Sequence, residues 1–282
     1  MKTTHQFDTD AGHADIDLWL TFYDEIIDAT QLAGLRRFLT RAERRQETRY
    51  HLANDRKRYL VTRALVRTVL SRYAAVEPQA WQFATNRYGR PEIAATHCCA
   101  TGLRFNLSHT RGLIVLGVTR RRALGVDVEH LGARTVSASL ADRFFAPWEV
   151  AALANMPRAT RMEGFFEYWT FKEAYVKARG MGLSIPFERF GFDFPDRRTV
   201  RFSVLPTLRD DADRWSFWQF RPTAEFVLAV CAERIGHAEP RIRVRRVGPA
   251  GTDEWPLPVL RSTVSCEVAI DVAHDGAAQR IA

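Results

Sequence analysis

The clearest pattern of apolar and polar positions lies between Thr160 and Gly182. Thr160 and Glu163 have the T-x-x-E form of a capping box, and the apolar residues that follow recur at helical spacing. Gly180 stands where a left-handed cap would end such a helix. The pattern therefore predicts a helix over residues 161–179.

An acid and a base lie on the apolar face of this predicted helix. At 100° per residue, Phe166, Trp169, Val176 and Lys177 all fall within about 60° of Glu173. Aromatic residues also point the opposite way, so we expect the helix to be covered on both faces. A carboxylate in that setting needs a partner, a metal or a role. The alternatives are a buried pair between Glu173 and Lys177, four residues apart, and a functional site.

The remaining pattern predicts further elements in the first half of the chain. Alternating apolar residues over 16–22 predict a half-buried strand, and helical spacing over 55–73 predicts a second long helix. A second T-x-x-E, at Thr40, again indicates a capping box. Residues 86–93 are typical of a turn, and 103–132 contains two apolar runs separated by a basic TRRR segment, which predicts a β-hairpin.

The second half predicts a helix and several strands. Residues 141–156 look helical, and four later segments alternate like strands: 187–194, 200–205, 215–220 and 225–232. The sequence ALVR at 64–67 aligns with AYVK at 174–177, and each is followed by strand-like sequence. This similarity hints at an α+β protein of two similar halves that meet at a cleft.

These patterns divide the chain into four parts. We expect a loose N-terminus over 1–13, an N-terminal half over 14–122, a C-terminal half over 123–235, and an extension over 236–282 whose role the sequence does not indicate.

Composition narrows the class of protein. The chain has 282 residues, of which 46% are hydrophobic and 11% aromatic, enough for one large domain or two of ordinary size. It contains no run of 18 apolar residues and no basic segment followed by an apolar one at the N-terminus, so neither a membrane span nor a signal peptide is predicted. The four cysteines show no C-x-x-C spacing. We therefore expect a cytoplasmic protein without a zinc or redox pair.

The net charge of +8 predicts an anionic partner or substrate. Nucleic acid, an acidic protein and a phosphorylated small molecule all fit that charge. Nucleic acid is the weaker interpretation, because arginine is dispersed and the chain has no RNP-like, zinc-finger or helix-turn-helix signature.

Two carboxylates on one predicted strand give the sharpest chemical signal. In G-V-D-V-E, Asp127 and Glu129 are two residues apart, so their side chains share a face at a separation of about 6 to 7 Å. At an effective dielectric near 20, two such charges repel by about 2.5 kcal/mol. Mg²⁺ would relieve that repulsion and take further ligands from a substrate's phosphates. The alternative is a solvent-facing strand that binds nothing.

The roles of other polar residues are ambiguous when each residue is considered by itself. His109 in N-L-S-H-T-R-G could project from a loop into a cleft or be structural. Arg90 in Y-G-R-P and the arginines at 56, 58, 63 and 67 could be ligands or solvated surface.

Taken together, these sequence motifs resemble those of a known family. The set Y-G-R-P-E, F-N-L-S-H, G-V-D-V-E and W-T-F-K-E-A-Y-V-K, in this order, is similar to the motifs of the 4′-phosphopantetheinyl transferases of the Sfp type. The motif resemblance covers about residues 44–177 and leaves out the tail after 236. Two departures are that Arg44 and Arg45 stand where the family often has lysines, and Arg90 replaces the lysine of its G-K-P motif.

The resemblance implies a fold and an activity. It implies a monomer of two halves related by a pseudo-twofold axis, with coenzyme A bound as substrate in the cleft between them. The reaction would be Mg²⁺-dependent and would transfer the phosphopantetheine arm to a serine of an apo acyl or peptidyl carrier protein of fatty-acid, polyketide or nonribosomal peptide synthesis. It would release adenosine 3′,5′-bisphosphate. Such carrier proteins are acidic, which agrees with the basic charge of this chain.

The resemblance also implies roles for individual residues. Asp127, Glu129 and Glu173 would hold Mg²⁺, and Glu173 would also be the base for the incoming serine. Lys177 and His109 would contact the pyrophosphate, and Lys177 could protonate the leaving group. The residues implied to hold the nucleotide are Arg58, Arg90 and Ser108.

Two other functions stay open at this point. One is a non-catalytic module that binds coenzyme A or a nucleotide, and the other is a basic nucleic-acid-binding protein, whose affinity would fall steeply with salt. The chain keeps all three acids and Lys177, which favours the enzyme.

Overall fold

The protein is described from a computed structural model over residues 15–132, 138–236 and 240–263. The helices within these ranges are α1 (Ala29–Arg36), α2 (Arg41–Glu47), α3 (Ala53–Leu70), α4 (Ala138–Phe144), α5 (Pro147–Asn155) and α6 (Arg161–Arg179). The strands are β1 (Ile16–Phe22), β2 (Phe83–Thr85), β3 (Pro91–Ile93), β4 (Leu103–His109), β5 (Leu113–Arg120), β6 (Leu124–His130), β7 (Phe190–Asp193), β8 (Arg201–Val204), β9 (Trp215–Phe220), β10 (Phe226–Glu233), β11 (Ile242–Gly248), β12 (Gly251–Glu254) and β13 (Val259–Ser262).

Two sheets and two long helices form a mixed α/β arrangement in layers. One sheet has the order β12-β11-β1-β5-β4, and the other has the order β13-β9-β10-β6. Leu18 of β1 packs between the sheets with Val126 of β6, while Trp19 points the other way, into the core under α3. Val227 of β10 likewise joins the core under α6. The layers are therefore α3, the first sheet, the second sheet and α6.

Several predicted elements are confirmed with small shifts. The long helix predicted over 55–73 is α3, and the four late strand predictions correspond to β7, β8, β9 and β10. The turn predicted at 86–93 joins β2 to β3, with Gly89 at a φ of 88°. The strand predicted over 16–22 is β1, but its prediction as half-buried is wrong, because both of its faces are covered.

The hairpin predicted over 103–132 is wrong. That stretch forms three strands, and the hairpin is β4–β5. β5 is flanked by β1 and β4 and has no free edge for β6. The chain instead leaves the sheet at Arg121, which has a left-handed φ of 58°, and β6 pairs with β10 in the second sheet.

The single helix predicted over 141–156 is also wrong. It is divided into α4 and α5, because Pro147 cannot continue a helix that began before it and instead starts a new one.

The opening prediction, the helix over 161–179, is confirmed as α6. Gly180 ends it with a left-handed φ of 65°. The capping box at its N-terminus is wrong, because the Thr160 hydroxyl donates to the Pro157 carbonyl and Glu163 pairs with Arg221. The other T-x-x-E does form a capping box, between Thr40 and Glu43.

The segment after residue 236 joins both sheets. β11 lies parallel to β1, and β13 pairs with β9. Asp17 of β1 anchors β11, because its Oδ1 accepts hydrogen bonds from Arg243 at 2.9 Å and Arg245 at 2.8 Å. Residues 264–282 lie outside the described ranges. No helix within those ranges is long and apolar enough to cross a membrane.

A glycine sets how closely α6 approaches β6. A Cβ atom on Gly125 would lie 1.9 Å from the Ala174 carbonyl oxygen and 2.5 Å from the Ala178 nitrogen. Since both are backbone atoms, a side-chain rotation cannot relieve the clash. Gly125 therefore lets the helix rest on the strand, and the next residues on that face of β6 come close to α6.

We expect Gly125→Ala to lower the free energy of unfolding by about 3 kcal/mol or more, because α6 must move away from β6. The control is Gly34→Ala in α1, where nothing lies within 4 Å of the new Cβ. That change should be neutral or stabilise by up to about 1 kcal/mol. Urea denaturation of both variants measures the difference, and a similar stability for both would contradict the close approach.

Candidate functional site

The candidate site lies where β4, β6 and α6 meet. On β6, Val126 and Val128 point into the core between the sheets. Asp127 and Glu129 therefore point the other way, on the face where Gly125 contacts α6. The prediction that the two carboxylates share a face follows from the observed strand. Asp127 is buried and Glu129 is half-buried.

A three-way contact joins the two sheets to α6. Lys177 Nζ lies 2.6 Å from Asp127 Oδ1, and the Ser108 hydroxyl donates to the same oxygen at 2.9 Å. Lys177 Nζ also donates to Ser108 Oγ at 3.0 Å. Glu173 is half-buried one helical turn before Lys177, so the two lie on the same side of α6.

Two further basic side chains border this contact. His109 ends β4 and is accessible to solvent. Its surroundings lower its pKa: desolvation is the main cause, Arg58 and Lys177 lower it further, and Asp127 raises it. The lowered pKa favours the neutral form of the imidazole. Arg58 of α3 is thus near enough to His109 to affect its charge. Arg58 itself is partly exposed and pairs with Asp55 at 3.0 Å.

Arg90 lies beside this group, at the C-terminal end of α6. It donates to the carbonyls of Lys177 at 3.3 Å and Ala178 at 3.2 Å, and it pairs with Glu92 at 2.7 Å. A cation that binds the last carbonyls of a helix complements its dipole. Arg90 also lines a cavity of about 240 Å³ together with Arg104 and Phe105.

The chemistry of these side chains suits a hard cation such as Mg²⁺. Asp127 Oδ2 is buried and has no hydrogen-bond partner, an arrangement that costs free energy unless a ligand binds it. Carboxylates are the ligands that Mg²⁺ prefers. In the arrangement described, no three acidic, histidine or cysteine side chains within residues 15–132, 138–236 and 240–263 converge on one point. Lys177 supplies the positive charge at Asp127 Oδ1.

Some of the candidate arginines stabilise the fold. Arg67 is buried, and its Nε donates to Glu43 at 2.9 Å while its Nη1 donates to the carbonyls of Pro78 and Trp81. Arg63 pairs with the same glutamate. Several hydrogen bonds from arginine hold the pKa of Glu43 below its usual range, against the effect of burial. Arg44 and Arg45 are exposed on α2.

Sequence reasoning missed the role of the first lysine in W-T-F-K-E-A. Lys172 is fully buried and pairs with Glu149, also fully buried, at 2.8 Å. Its ammonium also donates to the carbonyls of Phe187 at 2.8 Å and Phe190 at 2.7 Å. Lys172 therefore joins α6 to α5 and β7. The signal available was only a lysine on a helix expected to be covered on both faces.

Comparison with known proteins identifies the family of the chain. Residues 123–231 match the family model of the 4′-phosphopantetheinyl transferase superfamily, and residues 28–120 match the model of a 4′-phosphopantetheinyl transferase N-terminal region. The chain belongs to the 4′-phosphopantetheinyl transferase family.

Individual relatives cover most of the chain. It is 31% identical over 222 residues to the 4′-phosphopantetheinyl transferase HetI of Nostoc sp., covering 79% of this chain and 89% of that protein. It is 30% identical over 193 residues to a 4′-phosphopantetheinyl transferase of Bacillus subtilis, covering 68% and 81%. The structure of the holo-[acyl-carrier-protein] synthase of Thermotoga maritima aligns with a TM-score of 0.33 and 21% identity, over 40% of this chain and 62% of that one.

Proposed function

We propose that this protein transfers the 4′-phosphopantetheine arm of coenzyme A to a serine of an apo acyl or peptidyl carrier protein. The observation that carries the proposal is the state of Asp127, which has one oxygen bound by Lys177 and Ser108 and the other buried without a hydrogen-bond partner. Cations and a carboxylate with a free ligand position are what a pyrophosphate and its metal require.

The reaction exchanges the phosphoric anhydride bond of coenzyme A for a phosphate ester bond to the carrier protein. The carrier serine oxygen attacks the phosphorus that bears the pantetheine arm, and the P–O bond to the second phosphate breaks. The carboxylate of Glu173 accepts the serine proton, and the ammonium of Lys177 donates a proton to the departing phosphate. The products are the holo carrier protein and adenosine 3′,5′-bisphosphate.

The other site residues bind and orient the substrate. Lys177 and His109 contact the pyrophosphate, and Arg58, Arg90 and Ser108 hold the nucleotide. Arg58 forms an ion pair with Asp55, and Arg90 forms one with Glu92. A bound phosphate can displace these carboxylates from the arginines. When bound, Mg²⁺ would be held by Asp127, Glu129 and Glu173 and would neutralise charge on the pyrophosphate.

The overall arrangement proposed is two similar halves related by a pseudo-twofold axis, with coenzyme A between them. It is supported by α3 and α6, which each cover the outer face of one sheet. The monomeric state, the cytoplasmic location and the absence of nucleic-acid and membrane partners stay predictions.

The test is incubation of the purified protein with coenzyme A, Mg²⁺ and a panel of apo acyl and peptidyl carrier proteins. Intact-mass spectrometry should show addition of the phosphopantetheine arm to at least one of them. Tight binding of coenzyme A without transfer to any carrier would favour the non-catalytic module instead. Binding to nucleic acid that falls steeply with salt, with no transfer, would favour the third alternative.

A further inference from the structure

Two edge strands from different sheets lie side by side at the site. β4 is the last strand of the five-stranded sheet, and β6 is the last strand of the four-stranded sheet. On its other side, β6 pairs with β10 through its backbone. Alternate N–H groups of an edge strand point away from its sheet and need acceptors when they are buried.

Side chains of β4 and of the residue after it supply those acceptors. Asn106 Oδ1 accepts from the Val126 N–H at 2.9 Å, and Ser108 Oγ accepts from the Val128 N–H at 3.3 Å. Thr110 Oγ1 accepts from the His130 N–H at 3.3 Å. Each acceptor and its donor are 20 residues apart. We call Asn106, Ser108 and Thr110 the side-chain ladder.

We propose that the side-chain ladder positions the catalytic groups by fixing the register of β6 against β4. His109, the last residue of β4, lies between the ladder residues Ser108 and Thr110. Asp127 and Glu129 lie between the N–H groups that the ladder binds on β6. The ladder thus determines which residues of the two sheets face each other. The inference rests on the proposed function, because it names the residues that hold that same site in place.

Apolar packing does not fix this register by itself. The core between the sheets contains branched apolar side chains, and hydrophobic contact is not directional. A shift of β6 by two residues would keep the same face buried but would move Asp127 by about 6.6 Å along β4. The ladder forms three hydrogen bonds at alternate residues, and in each of them the donor and the acceptor are 20 residues apart in the sequence. These hydrogen bonds would all be lost in such a shift.

The middle of the ladder is also part of the site. The Ser108 oxygen that accepts from the Val128 N–H also accepts from Lys177 Nζ, and its hydroxyl donates to Asp127 Oδ1. A change in the register would therefore alter the Asp127–Lys177 contact directly. For this reason Ser108 is a poor test of positioning alone, whereas Thr110 binds only the backbone of β6 among these groups.

The test compares Thr110→Val, which removes the acceptor oxygen, with Thr110→Ser, which keeps it. The matched control is Thr263→Val, which removes a hydroxyl oxygen that accepts the Phe217 N–H of β9 at 2.9 Å. A displacement of about 1 Å at a reacting centre can cost up to about 100-fold in rate, so we expect Thr110→Val to lower kcat by about tenfold or more. Thr110→Ser should stay within about threefold of the wild type, and Thr263→Val within about twofold.

Amide hydrogen exchange gives a second readout that does not depend on activity. Thr110→Val should increase exchange at the amides of Val128 and His130, and Thr263→Val should not. Equal losses of kcat in the two valine variants, or no recovery in Thr110→Ser, would overturn the proposal. If the wild type transfers no arm to any carrier, the proposed function fails. The role of the ladder is then supported if Thr110→Val shows both the faster exchange and weaker binding of coenzyme A while Thr263→Val shows neither. It is overturned if Thr110→Val shows no such difference from Thr263→Val.

Discussion

Replacing Asp127 by asparagine should lower the rate of phosphopantetheine transfer by about 10³-fold or more while the protein stays folded. The asparagine side chain has nearly the same shape, but it carries no charge to pair with Lys177. It also replaces a buried carboxylate oxygen, the type of ligand that Mg²⁺ prefers, by a neutral amide group. Glu173→Gln should cause a loss of the same order, because an amide cannot accept the serine proton.

The matched control is Asp17→Asn on β1. Asp17 is also a buried strand carboxylate that binds cationic side chains, Arg243 and Arg245, but it lies at the β1–β11 pair and away from the site. Its replacement should lower the thermal midpoint and leave kcat within about threefold of the wild type. Initial rates of mass addition to the carrier measure all three variants. Near-normal turnover in Asp127→Asn or Glu173→Gln would refute the roles given to those residues.

Replacing Lys172 by methionine should destabilise the protein by about 3 to 5 kcal/mol, because it leaves Glu149 as an unpaired buried carboxylate. Burial already raises the pKa of Glu149 and lowers the pKa of Lys172, so the two side chains depend on each other for their charged forms. Urea denaturation followed by tryptophan fluorescence measures the loss.

The double variant Lys172→Met/Glu149→Leu provides the control. Replacing both members of a buried pair by apolar side chains of similar volume is often neutral or even stabilising. We therefore expect the double variant to recover most of the stability that Lys172→Met loses. A double variant at least as unstable as the single one would show that the backbone hydrogen bonds of the pair, from Lys172 to Phe187 and Phe190 and to Glu149 from Ala146 and Phe192, matter more than the unpaired charge of Glu149.

Local signals in the sequence predicted the parts of the fold that depend on neighbouring residues. α6 and its glycine cap follow from spacing within about twenty residues, and so does the strand that carries Asp127 and Glu129. The partner of β6 was not predictable in this way. Which strand has a free edge depends on residues far away in the chain, and β5 had already been enclosed by β1 and β4.

The candidate site was also predictable only where its signals are local in the sequence. The motifs pointed to Asp127, Ser108, His109 and Lys177, which the structure brings together through contacts and electrostatic influence. The spacing of Glu173 and Lys177 left a buried pair open as an alternative. The observed partner of Lys177 at 2.6 Å is Asp127, 50 residues away, and no pattern within one helix could indicate it.

The sequence also did not indicate which lysine and arginine residues stabilise the fold. Lys172 and Lys177 lie on the same helix in the same motif, yet one is fully buried against Glu149 and the other faces Asp127. Arg67 is buried with Glu43, whereas Arg58, nine residues earlier on α3, influences His109 at the site. For Lys172, Lys177 and Arg67 the partner is a carboxylate far away in the sequence, which no local pattern indicates.

We expect the junction of β4, β6 and α6 to catalyse transfer and not merely to bind a nucleotide. The most direct measurement follows the two products together, holo carrier protein by intact mass and adenosine 3′,5′-bisphosphate by chromatography, with coenzyme A and Mg²⁺ supplied. We predict that they form in equal amounts with the wild type and that neither forms with Asp127→Asn on the same timescale. Release of the nucleotide without modification of any carrier, or modification that persists in Asp127→Asn, would contradict the account.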